Sequence, residues 1–123
     1  MGDKGADMKR IMLLAVVMFL LVGGNCWAKE LIDVEKLADS IKIAEGSYNH
    51  PYGILRDYCL PGDTNGQCRK GCIQTINKRY RMWDGKGDFI DYLQRSYCPI
   101  GASNDPKGLN RNWSKNVKAN YYK

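Results

Sequence analysis

The chain has 123 residues, with 19 Lys and Arg against 13 Asp and Glu, five Cys and one His. That length allows one domain, and 26% charged with 44% hydrophobic residues excludes a disordered, collagenous or low-complexity chain. A lone His50 argues against His-rich zinc sites and Ser-His-Asp chemistry, and a single apolar run, at the N-terminus, excludes a multi-span membrane protein.

Lys9 and Arg10 open that run, and Ile11 to Val22 is apolar throughout. It is shorter than the about 20 residues a bilayer core requires. Gly23-Gly24-Asn25 end it, and Cys26-Trp27-Ala28 places small residues where signal peptidase inspects the chain. A secretory signal peptide over residues 1–28 is expected, with a retained N-terminal anchor as the alternative. Residues 29–123 then form a secreted or periplasmic domain, a monomer with no stable membrane insertion after cleavage.

In that domain Leu31, Val34, Leu37, Ala38, Ile41 and Glu45 recur at steps of three and four, which predicts a helix over 31–45 capped by Gly46. Residues 46–66 are dense in turn formers and read as loop with short extended pieces. A second helix is expected over 68–83, with Cys72, Ile73, Ile76, Tyr80 and Trp83 on one face. Asp84-Gly85-Lys86-Gly87 stops it. Asp88 caps a third helix carrying Phe89, Ile90, Leu93 and Tyr97 inward, and residues 98–109 form another loop. Asn110 or Asn112 caps a last helix bearing Trp113, Val117 and Tyr121. No strand alternation and no internal repeat occur, so the fold class is mainly α: a single small helical domain with a loop-rich groove, stapled by disulfides.

Cleavage after Ala28 removes Cys26 and leaves Cys59, Cys68, Cys72 and Cys98. An even set in a small exported domain predicts two bridges. The expected pairing joins Cys59 to Cys68 or Cys72, and the one left over to Cys98. Cys68 and Cys72 have usable zinc spacing, but an oxidising compartment favours bridges, so neither metal nor cofactor is expected. Residues 29–123 hold 16 Lys and Arg against 11 Asp and Glu, a net charge of +5, which outside the cytoplasm points to anionic wall polymers or lipids and away from nucleic acid.

Glu45 is the residue with the most chemical content. It sits in the apolar stripe at the last turn of the first helix. Partial burial and the negative end of the helix dipole both disfavour its charged form, moving it toward a general acid. The segment Ile43-Ala44-Glu45-Gly46-Ser47, followed by Pro51-Tyr52-Gly53-Ile54, resembles the catalytic region of the lysozyme-like superfamily. It is most similar to lytic transglycosylases and small phage or bacterial muramidases. The resemblance implies a lysozyme-like fold over 29–123, Glu45 as acid and base, and Ser47, Tyr52, Gly53 and Ile54 lining sugar subsites. It also implies that Asn77, in Cys72-Ile73-Gln74-Thr75-Ile76-Asn77, faces the groove. The Gln that usually follows the loop motif is replaced here by Leu55-Arg56.

The expected partner is therefore the glycan strand of peptidoglycan. Hydrolysis ordinarily takes two carboxylates, and only Asp57 and Asp63 lie on the following loop. Lytic transglycosylation takes one. Tyr48, Tyr52 and Tyr58 flank the loop with rings that stack on sugars, whereas Trp83 and Trp113 read as core. The alternatives are a non-catalytic secreted wall-binding or inhibitor module, and a cationic membrane-active protein.

Overall fold

Asp33 sets the start of the first helix. Its carboxylate accepts from the Lys36 N–H at 3.0 Å, satisfying one of the amides that a helix start leaves unpaired. Helix α1 therefore runs Val34–Glu45, and Leu31, expected on its inner stripe, precedes the cap and is 90% exposed. Leu37, Ala38 and Ile41 are fully buried. Gly46 ends α1 with φ +57° and its N–H on the Lys42 carbonyl, a left-handed cap that glycine adopts without strain. The computed structural model describes residues 29–101 and 107–123. The expected signal peptide and residues 102–106 of the expected loop lie outside these.

The loop after α1 holds two single turns of 3-10 helix, Pro51–Gly53 and Pro61–Asp63, where short extended pieces were expected. Each opens on a proline, whose fixed φ suits the first helical position and whose missing N–H costs nothing there. Among the described residues there is no strand. Asp63 then caps helix α2, Gln67–Met82, accepting from the N–H groups of Cys68 at 2.9 Å and Arg69 at 3.2 Å. A disulfide between Cys59 and Cys68 fastens the loop to α2.

The inner face of α2 is Cys68, Cys72 and Ile76, and buried Trp83 caps its end. Helix α3, Phe89–Tyr97, starts as the sequence predicts: the Asp88 carboxylate accepts from Ile90 N–H at 2.7 Å and Asp91 N–H at 3.2 Å. Phe89 meets Trp83 and Tyr80 at ring centroid distances of 5.3 and 5.6 Å, closing one end of the core. Helix α4, Arg111–Tyr121, follows Asn110, whose amide donates to the Pro99 carbonyl at 2.9 Å. Trp113, Val117 and Tyr121 pack α4 chiefly against α1. Each large apolar side chain so buried contributes roughly 1.5–3 kcal/mol. The molecule is one small, mainly helical domain, and no helix among its described residues is long and apolar enough to cross a membrane.

Cysteine pairing differs from the expectation of two bridges. Cys59 takes Cys68, the first of its two predicted partners, but Cys72 keeps a buried free thiol in place of a bond to Cys98. Burial pushes that thiol up to about 12, although the Tyr97 hydroxyl beside it acts in the opposite sense.

Candidate functional site

Glu45 is the last residue of α1, so its side chain leaves the helix where the chain turns away at Gly46. Two elements meet its carboxyl, and a third backs them both. From α4, the Trp113 indole N–H donates to Oε1 at 2.8 Å. From the loop, Gly53 comes so close that a Cβ built on it would stand 2.7 Å from both the carboxyl carbon and Oε1. From α3, Tyr97 stacks on Trp113 with centroids 5.3 Å apart, and its hydroxyl donates to the Tyr52 carbonyl. The turn that carries Gly53 is thus tied to the ring that backs the indole.

Half-buried, Glu45 has a carboxyl held above its ordinary value of 4.5, chiefly by desolvation, while the Trp113 hydrogen bond partly restores the charged form. The negative end of α1 adds to the upward push. Such a group keeps its proton closer to neutrality than a surface Glu and still has a donor ready for its anion. Those are the requirements on one group acting as acid and then as base.

A cleft of about 300 Å³ opens beside this carboxyl, lined by Glu45, Ser47, His50, Gly53, Leu55, Tyr97, Cys98, Pro99 and Asn110. Glu45 is the only carboxylate among these residues. Asp63, one of two loop candidates for a second, is committed to the N-terminus of α2. Asp57, the other, is exposed and outside the lining. The Ser47 hydroxyl accepts from the His50 backbone N–H at 3.0 Å, which ties together two residues of the cleft lining.

The remaining residues named by the sequence are dispersed. Gly53 and Ile54 line a second, adjoining cleft of about 200 Å³, reached across Gly53, Leu55 and Tyr97. Tyr52 is buried, with 2% exposure, so its ring offers no face to a sugar. Its hydroxyl accepts from the Arg69 guanidinium at 3.3 Å, and its φ of +60° is a left-handed conformation costly outside glycine. Tyr52 therefore acts through its backbone, turning Gly53 toward Glu45. Tyr48 is exposed, and its ring covers Gly62. Asn77 is exposed on α2 and lines neither cleft.

Trp113 was legible only as core, which it also is. Nothing in its spacing announces that the indole N–H serves a carboxylate 68 residues away. The signal available was chemical: a buried indole N–H seeks an acceptor. Among the described residues there is no cluster of His, Cys, Asp and Glu able to hold a metal ion. No family model matches the chain, and no match is found among curated proteins or solved structures.

Proposed function

We propose that this protein is an exported, lysozyme-like, wall-cleaving glycosidase of the lytic transglycosylase type, with Glu45 as its single acid and base. The observation that carries the reading is a half-buried carboxyl with a raised pKa, bonded by Trp113, at the edge of a cleft in which it is the only carboxylate among the described residues.

Glu45 in its acid form gives its proton to the bridging oxygen between two sugars as the bond from that oxygen to the anomeric carbon breaks. The resulting carboxylate, held by the Trp113 N–H, takes the proton of the same sugar's C6 hydroxyl as that oxygen closes on the anomeric carbon. Glu45 ends protonated, and the product is an intramolecular anhydro sugar. Hydrolysis needs an attacking water and, ordinarily, a second carboxylate to activate it, and the two loop aspartates are placed elsewhere. The basic domain over residues 29–123, of net charge +5, suits an anionic polymer.

Purified sacculi digested with the chain test this, with released fragments analysed by mass. Anhydro-ended muropeptides are expected. Fragments one water heavier make the enzyme a hydrolase, and absence of soluble fragments together with sedimentation on sacculi makes it a binding module.

A further inference from the structure

The two clefts adjoin, because Gly53, Leu55 and Tyr97 line both, and the Glu45 carboxyl touches the shared Gly53 position. The first, of about 300 Å³, stands at the lower end of the range of ordinary ligand sites, and the second adds about 200 Å³ beside it. The second cleft is electrostatically unlike the first: Arg56 is the only charged residue in its lining, beside Tyr58, Thr75 and Ser96. The ion pairs among the described residues engage Arg69 and Lys118, and none engages Arg56. Its turn is nonetheless fixed, since the Cys59 N–H donates to the Arg56 carbonyl at 2.9 Å and Cys59 is bridged to Cys68 on α2.

We infer that this second cleft is a carboxylate-recognising subsite, in which Arg56 binds an acidic substituent of the saccharide strand while Glu45 acts on the neighbouring sugar linkage. The inference rests on the glycosidase reading of Glu45. A guanidinium on an anchored turn presents a planar pair of donors matched to a carboxylate. Tyr58, whose hydroxyl packs against Gly71 of α2, leaves its ring half-exposed beside it for the sugar or acyl chain that carries the acid. Two sources supply that chemistry on a wall strand: the lactyl carboxylate of a peptide-free muramyl sugar, and the carboxylates of a peptide branch. A neutral N-acetylglucosamine oligomer has neither.

Calorimetric titration of the Glu45→Gln chain, which binds without cleaving, compares three probes: N-acetylglucosamine oligomers, peptide-free muramyl oligosaccharides, and muramyl oligosaccharides with intact peptides. At least one acidic probe is expected to bind about tenfold tighter than the neutral one, as one charge-assisted contact implies. Adding Arg56→Gln closes that gap, and raising salt narrows it. Preference for the peptide-free form identifies the lactyl group, and preference for the peptide-bearing form identifies the branch. Equal binding of all three probes, or a preference that survives Arg56→Gln in a chain with unchanged thermal unfolding, overturns the subsite and leaves the glycan groove intact. Failure of all three to bind overturns the glycan groove and the subsite together.

Discussion

The indole N–H of Trp113 donates to Oε1 of Glu45 at 2.8 Å, joining the start of the last helix to the end of the first. This contact is at once packing and chemistry. It fixes the direction of a carboxyl that the chain otherwise leaves dangling at a helix terminus. It also opposes the desolvation that raises that carboxyl's pKa.

Trp113→Phe keeps the ring stacked on Tyr97 and removes the donor. With burial left unopposed, the Glu45 proton is held more tightly. The fall in activity at high pH, where the acid form is lost, should therefore move to higher pH. Activity near neutrality should drop roughly tenfold, as loss of one hydrogen bond to a charged group implies. A pH profile of fragment release checks this. An unshifted profile would show that the contact serves packing alone.

Gly53 is held at φ +69° against the Glu45 carboxyl, and Gly66 at φ +70° faces nothing within 4 Å. Alanine at either position carries the left-handed penalty of about 1–2 kcal/mol. Only Gly53→Ala also drives a methyl into the carboxyl. Thermal unfolding should fall in both variants and further in Gly53→Ala, while fragment release should collapse only in Gly53→Ala. Equal activities would mean that Gly53 is a turn residue and no more.

Burial gives Glu45 a folded-state pKa above its ordinary 4.5, so the folded chain binds that proton more tightly than the unfolded one. The stability this supplies is complete below 4.5 and is lost as pH rises through the folded value. Glu45→Gln, which still accepts from Trp113, should unfold at a higher temperature than the parent at neutral pH. The difference should disappear near about pH 3, where both forms are neutral. A parent as stable as the variant at pH 7 would indicate an unstrained, solvated carboxylate.

The Cys59–Cys68 bond spans a sequence separation of 9, and closing so short a loop stabilises by about 2–3 kcal/mol. Replacing both by Ser should lower the unfolding midpoint by roughly 10–20 °C. Cys72 should alkylate only after denaturation, because its thiol is buried and pushed up to about 12. Resistance in denaturant without reductant would place Cys72 in a bridge.

How much of this was legible in the sequence follows from how local each cause is. Asp88 before Phe89 and Gly46 after Glu45 act within one helical turn, so both helix ends were readable, and the stripe of Leu37, Ala38 and Ile41 gave the buried face of α1. Glu45 stood out for the same reason: a carboxyl on an apolar stripe is a local anomaly. The loop is less legible. A 3-10 turn with Tyr52 at φ +60° is held by Arg69 from α2 and Tyr97 from α3, which no local pattern encodes. Asp63 illustrates the same limit. Its carboxylate looks available in the sequence, yet it is occupied by the first amides of α2.

On the proposed reading, the one carboxyl of Glu45 breaks and closes bonds in the cleft that it lines. Mass analysis of the soluble fraction released from purified sacculi, parent against Glu45→Gln, tests it most directly. The parent should release anhydro-ended muropeptides, and the variant, folded and still sedimenting with sacculi, should release none. Undiminished release by the variant would contradict the account, since no proton donor would then be required at position 45.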